Sequence, residues 1–128
     1  MTTSDFDKAS NTGFRHLVNA TRFSLRGFRA AFRHESAFRQ ETAGLIVIVP
    51  AAVWLGDEAV QVAMLLGVYL LVFVVELLNS GIEAAVDHTS TEQHDLAGRP
   101  KDLGSAAVFG ALVIFGLVWG AVMLERFG

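Results

Sequence analysis

The chain has 128 residues, of which 52% are hydrophobic, and a formal net charge of −3. This length suits one domain, and the hydrophobic fraction is unusually high for a soluble one, so we expect a membrane protein. Because the chain has no cysteine, disulfide frameworks and thiolate metal sites are excluded.

The first predicted element is an amphipathic surface helix over about residues 14–34. Its apolar side chains recur at helical spacing on one stripe, and its arginines gather on the neighbouring flank. This pattern is typical of a helix that lies in the membrane interface, with its arginines toward anionic headgroups. A helix packed on a soluble core, or a segment that only sets membrane topology, would show the same periodicity.

Three transmembrane helices follow, predicted over about residues 36–56, 59–87 and 104–125. The third is the clearest, because residues 106–124 carry no charge and nearly reach the roughly 20 residues that cross a bilayer. The predicted fold class is therefore all-α, with one integral membrane domain over residues 1–128.

The distribution of basic residues predicts how the chain is oriented. Seven of the ten lysine and arginine residues precede the first apolar run, which favours a cytoplasmic N-terminus. With three spans, the C-terminus then lies on the opposite side of the membrane. We expect no cleavable signal ahead of these spans, since the first apolar run begins only after residue 40.

A polar edge interrupts the second predicted span. On a helix, Glu76, Glu83 and Asp87 lie within about 40° of one another, and Asn79 and Ser80 flank them. Because a charged side chain in a bilayer costs about 3 kcal/mol or more, such groups normally face a bundle interior or a wet cavity and mark a functional site. In the alternative interpretation, Glu83 and Asp87 lie in headgroup water, and a hydrogen bond between helices holds Glu76.

The connection after this span, residues 91–102, mixes acids with Arg99 and Lys101. It could bind a charged ligand, although a solvated polar loop would look the same. His88 and His94 lack the spacing of a hydrolytic zinc site. The sequence also lacks the glycine-rich phosphate loops of the P-loop and protein-kinase types, so a nucleotide would need carboxylates that hold Mg²⁺ and a lysine near its phosphates.

Three segments together resemble the prokaryotic diacylglycerol kinase family of small membrane lipid kinases. They are RAAFRHESAFRQE at 29–41, VELLNSGIEAAVD at 75–87 and GRPKDLGSAAV at 98–108. The resemblance implies a homotrimer of three-span subunits in the bacterial inner membrane, with a periplasmic C-terminus and with sites shared between subunits. It also implies Mg²⁺-dependent transfer of a phosphoryl group from ATP to diacylglycerol, which gives phosphatidic acid. The expected partners are thus ATP, diacylglycerol and membrane lipid, and no nucleic-acid polymer.

The same resemblance implies roles for individual residues. Glu76 matches the family's catalytic base, Asn79 matches a residue that supports it, and Glu35 and Glu83 match metal ligands. The positions that match ATP-binding residues are Phe23, Glu35, Glu83, Glu92, Gln93, His94, Lys101 and Asp102. Those that match lipid-substrate positions are His16, Arg29, Ala30, Ala31, Phe32, Ala37, Phe38, Arg39, Gln40, Glu41, Trp54, Glu76 and Ser105.

The chain departs from the family pattern at His16, Asn19, Phe23 and Pro100. The first three replace a basic residue, a lysine and a tyrosine that family members often carry, which weakens the expected contacts of the surface helix. Pro100 stands where a small residue is usual and removes a backbone donor beside Lys101.

Two alternative functions stay open at this point. A sister group of the family shares the ELLN and KD motifs and phosphorylates undecaprenol, so undecaprenol kinase is the alternative of the same class. A non-enzymatic pore or scaffold subunit is the alternative of another class, because a polar edge on a membrane helix could line a pore.

Overall fold

The computed structural model describes residues 12–89 and 95–128. Within these residues the chain forms four helices and no strand: α1 Gly13–His34, α2 Ser36–Leu55, α3 Ala59–Thr89 and α4 Asp95–Phe127. The all-α class predicted from the sequence is confirmed. The chain divides into two compact units, residues 1–39 and residues 40–128.

Three helical segments of the described chain are long and apolar enough to cross a membrane, and they are Ser36–Leu55, Ala59–His88 and Gly98–Phe127. Only 11% of an 18-residue stretch in each segment is buried within the chain. Most of their apolar surface is therefore free to contact lipid, and the helical backbone satisfies its own hydrogen bonds there. The prediction of three spanning helices is confirmed.

Helix α4 begins well before its apolar stretch. The sequence predicts a polar connection over residues 91–102, but the chain is already helical from Asp95. Pro100 lies inside the helix and costs it one backbone hydrogen bond. The helix nevertheless continues through it, and in the next turn Lys101 and Gly104 contact α3. The interpretation as a loop is thus wrong from Asp95 onward.

In the unit of residues 1–39, helix α1 ends at a cap made by a side chain. The Arg39 guanidinium Nη1 donates to the carbonyls of Phe32 and Arg33, at 2.8 and 3.0 Å. These are two of the last carbonyls of α1, which have no partner inside a helix. Glu35 follows in an extended conformation, and its N–H donates to the Ala31 carbonyl at 2.8 Å.

In the unit of residues 40–128, helices α2, α3 and α4 share an apolar core near the turn between α2 and α3. Its buried residues are Ala52, Leu55, Leu65, Trp119 and Val122. The Trp119 indole N–H donates to the Leu65 carbonyl at 3.1 Å, which satisfies the buried donor and joins α4 to α3. Because residues early in α3 contact residues late in α4, these two helices run antiparallel.

A polar cluster ties this end of the unit together. Arg126 donates to Asp57 at 3.2 Å and lies over the Trp54 ring, 5.0 Å from its centroid. The Trp54 and Phe127 ring centroids are 5.8 Å apart. The amide of Gln61 at the start of α3 donates to Glu125 at 3.3 Å. These contacts fix the last turn of α4 beside the turn between α2 and α3.

Candidate active site

The polar edge of α3 lies in the half of the helix that is remote from the apolar core. Its residues Glu76, Asn79, Ser80 and Glu83 are half-buried, and Asp87 near the helix end is exposed. Spacings of three, four and seven residues bring side chains to one face of an α-helix, so the chain itself aligns these groups. Exposure increases toward the end of the helix, in the direction expected from the sequence.

Asn79 is held between α3 and α4. Its side-chain NH₂ donates to Glu83 Oε1 at 3.2 Å. Its Oδ1 is buried, has no hydrogen-bond partner among the described residues, and lies against Gly104 of α4 so closely that a Cβ there would overlap it. The glycine therefore lets α4 approach, and the amide is turned with its donor toward Glu83.

Glu41 of α2 reaches the predicted base. The carboxyl groups of Glu41 and Glu76 are in hydrogen-bond contact. A bond between two carboxyl groups forms only when one of them carries a proton, because an ionised carboxylate has no donor. The second oxygen of Glu41, Oε2, is buried and has no partner within residues 12–89 and 95–128.

Lys101 lies near the exposed end of the polar edge. Its Nζ donates to Asp87 Oδ1 at 2.6 Å, and the two side chains are 41% and 66% exposed. An ion pair this open to solvent is weak, since water and salt compete for both charges. Lys101 can therefore exchange Asp87 for an incoming anion. Asp102, the next residue, is exposed on the same helix.

Two residues of this region were missed by the sequence reasoning as members of the site. Tyr69 donates its hydroxyl to the Glu41 carbonyl at 2.7 Å, and Gly104 packs on Asn79. Tyr69 stands seven residues before Glu76, so the helical spacing that defined the polar edge could have extended it by two turns. For Gly104 the sequence offered only a glycine in an apolar helix, which does not say which side chain it faces.

Other predicted positions lie in the unit of residues 1–39. His16, Arg29, Ala30 and Phe32 are exposed on α1, where Ala31 is buried. The remaining positions of this unit are Phe23, beside Arg26 at 5.7 Å from its ring, Glu35 between the two helices, and Ala37, Phe38 and Arg39 in the first turn of α2. Gln40 begins the second unit and is exposed.

The structure does not bring every predicted lipid position to Glu76. Trp54 lies among the polar contacts at the far end of the unit, near Gln61. At 1.5 Å per residue, Gln61 is about 22 Å from Glu76 along α3. Ser105 is exposed on α4, next to Gly104. The predicted nucleotide positions Glu92, Gln93 and His94 lie outside the described residues.

The carboxylates suit a hard cation. Mg²⁺ prefers oxygen ligands and is often held by one or two carboxylates together with substrate phosphates. Glu83 fits this use, because it is half-buried and one of its oxygens is oriented by Asn79. Among residues 12–89 and 95–128 no three His, Asp or Glu side chains cluster as a complete metal site.

Spanning helices with an intramembrane row of carboxyl, amide and ammonium groups define a helical membrane protein with a polar functional site. Comparison with known proteins narrows this class to one family. A profile of the prokaryotic diacylglycerol kinase family matches residues 22–123. The chain is 45% identical to the diacylglycerol kinase of Haemophilus influenzae over 112 residues, which cover 88% of this chain and 95% of the relative.

Two further relatives agree with this match. The chain is 41% identical to the diacylglycerol kinase of Escherichia coli K12 over 119 residues, 93% of this chain and 98% of the relative. It is 46% identical to that of Pseudomonas aeruginosa over 113 residues, 88% of this chain and 92% of the relative. The chain belongs to the prokaryotic diacylglycerol kinase family, as its three motifs predicted.

Proposed function

We propose that this protein is a lipid kinase that transfers the γ-phosphoryl group of ATP to the free hydroxyl of diacylglycerol, giving phosphatidic acid. Membership in the family supports the reaction, and the names of the relatives favour neither undecaprenol kinase nor a pore or scaffold. One structural observation carries the proposal. Glu76 is half-buried within a membrane span, Glu83 and Asp87 follow it toward the exposed end of α3, and Lys101 of α4 pairs with Asp87 there.

The proposed role of each residue depends on its depth in the membrane along α3. A diacylglycerol hydroxyl lies below the headgroups, where Glu76 would accept its proton as the general base. The nucleotide comes from water and would meet the exposed end, where Lys101 can bind its phosphates. Most of the rate would come from aligning the hydroxyl with the γ-phosphate and from stabilising the charge that develops on it.

Mg²⁺ is the proposed cofactor, with Glu83 and Glu35 as its protein ligands. When bound with ATP, the ion supplies positive charge beside the transferred phosphoryl group. Asn79 contributes by holding one Glu83 oxygen, which leaves the other free to coordinate. The remaining ATP and lipid positions named from the family resemblance are proposed in the same roles.

The proposed setting is a homotrimer in the bacterial inner membrane, with sites shared between subunits. The arginines before the first span favour an N-terminus in the cytoplasm, where ATP is found, and with three spans the C-terminus would then be periplasmic. Residues 1–128 would act as a single membrane domain, with α1 in the interface.

The test is transfer of radiolabelled γ-phosphate from ATP to dioleoylglycerol in mixed micelles. We expect the wild-type chain to label the lipid and Glu76→Gln to lose nearly all turnover while still binding MgATP. Glu58→Gln is the matched control, because Glu58 is exposed in the turn between α2 and α3. Full activity of Glu76→Gln would contradict this mechanism. Preferential labelling of undecaprenol by the same preparation would show that undecaprenol, and not diacylglycerol, is the substrate.

A further inference from the structure

Tyr69 is the only tyrosine of the chain and has no role in the mechanism above. It lies on α3 two turns before Glu76, on the same side of the helix. Its hydroxyl donates to the backbone carbonyl of Glu41 in α2 at 2.7 Å. Since a helical carbonyl keeps a second lone pair after accepting its own N–H, this bond adds a direct connection between α2 and α3.

The hydroxyl occupies space that only a glycine leaves open. A Cβ built at Gly44 of α2 would clash with the Tyr69 hydroxyl at 2.5 Å. It would lie at an ordinary contact distance, 3.7 Å, from the ring carbon Cζ. The other side of the ring is held by Phe73 and Phe115, with centroids at 5.4 and 5.9 Å. The tyrosine is therefore confined to the rotamer that reaches the Glu41 carbonyl.

Glu41 connects the confined Tyr69 hydroxyl to Glu76. Its backbone accepts the Tyr69 hydrogen bond, and its carboxyl group contacts the Glu76 carboxyl group. The backbone sets where a side chain begins and which rotamers it can adopt, so holding the Glu41 carbonyl in place limits the positions at which its carboxyl group can meet Glu76.

We propose that Tyr69 is a positioning residue, which fixes the Glu41 backbone and thereby orients the carboxyl group of Glu76. The inference rests on the proposed function, in which Glu76 is the general base. Tyr69 itself does not touch the reacting atoms. Its effect should therefore appear in the turnover number and not in nucleotide affinity.

The first experiment is steady-state kinetics of Tyr69→Phe, which removes the hydroxyl and keeps the ring contacts. A hydrogen bond of this kind corresponds to about a three- to tenfold change, so we expect kcat to fall by that factor. KM for MgATP should stay unchanged, because the proposed nucleotide groups are on other residues. Because the chain has one tyrosine, a label at its ring carbon Cζ gives a single NMR signal from the wild type, and the shift of this signal is sensitive to hydrogen bonding of the hydroxyl.

Gly44→Ala provides the decisive partner variant. As a single variant, Gly44→Ala should displace the Tyr69 hydroxyl from the Glu41 carbonyl. It should then lower kcat about as much as Tyr69→Phe and shift the tyrosine NMR signal. In the Tyr69→Phe background the same alanine meets only the ring at an ordinary distance, so the double variant should match Tyr69→Phe within about twofold. Gly67→Ala is the control, since none of the described residues lies within 4 Å of a Cβ there.

The outcomes separate this inference from the proposed function. An active wild type with equally active Tyr69→Phe would overturn the inference alone. The inference would also be overturned if kcat of the double variant fell by the product of the two single-variant factors, because independent effects mean that Gly44 and Tyr69 do not act through one contact. A wild type that fails to phosphorylate diacylglycerol would overturn both.

Discussion

Helices α2, α3 and α4 meet in two different ways along their length. At the end near the turn between α2 and α3, Leu65 is 0% exposed and the Trp119 indole has its hydrogen bond. At the other end, two carboxyl groups share a contact, and Glu41 and Asn79 each keep a buried oxygen without a partner in the described residues. Buried polar groups are normally satisfied, so this difference assigns the larger share of stability to the apolar end and supports the proposal that the chemistry takes place at the polar end.

Glu76→Gln should show the largest difference between its effect on activity and its effect on stability. Removing a general base typically lowers the rate about 10²- to 10⁴-fold, and we expect a loss of kcat in this range. The thermal unfolding midpoint in detergent should stay close to wild type, because glutamine keeps the shape and can still donate to Glu41. An equal loss of folded protein would contradict the assignment of chemistry to this end.

Leu65→Ala is the converse change at the apolar end. Truncating a fully buried leucine costs about 2–5 kcal/mol of unfolding free energy. The activity per folded molecule at low temperature should remain near wild type, since Leu65 is about 16 Å from Glu76 along α3. Leu70→Ala on the same helix is the control, because Leu70 is 48% exposed and its truncation should cost much less. Equal destabilisation by the two variants would show that the core is elsewhere.

Gly104→Ala should affect the polar end moderately. The new methyl group would displace the Asn79 amide, which can rotate, so the cost in stability is small and is offset by the higher helix propensity of alanine. Loss of the bond from Asn79 to Glu83 should lower the rate about tenfold and raise the Mg²⁺ concentration needed for half-maximal activity. Gly110→Ala, where no described residue lies within 4 Å of a Cβ, should leave both values unchanged. Equal effects of the two alanines would refute the Asn79 contact.

Asp87→Asn should have the smallest effect. The ion pair with Lys101 is exposed, so its removal should change KM for ATP by less than about threefold. The change should favour binding, because Lys101 would no longer have a competing carboxylate, and it should shrink at high salt. A large increase in KM would instead make Asp87 part of the nucleotide site.

The sequence predicted those features that depend on a single helix. Long runs without charge identified the spans, and spacing along one helix placed Glu76, Asn79 and Glu83 on a common side. Features that depend on the register between helices were not accessible. The contacts of Tyr69 with Glu41 and of Gly104 with Asn79 require knowing which turn of α3 faces which turn of its neighbours, and periodicity does not contain that information.

The start of α4 shows the same limit. A polar connection was predicted up to residue 102, whereas the chain is helical from Asp95. The contacts of Lys101 and Gly104 with α3 join two helices, and the composition of one segment does not predict them.

The small buried fraction of the three spans has a practical consequence. Only 11% of an 18-residue stretch in each span is buried by the chain itself, so much of the apolar surface depends on surrounding lipid, detergent or partner subunits for cover. An unfolding midpoint therefore belongs to the protein and its detergent or lipid as a pair. Exchanging one detergent for another is a change of solvent for most of the molecule, and variants should be ranked only within one such medium.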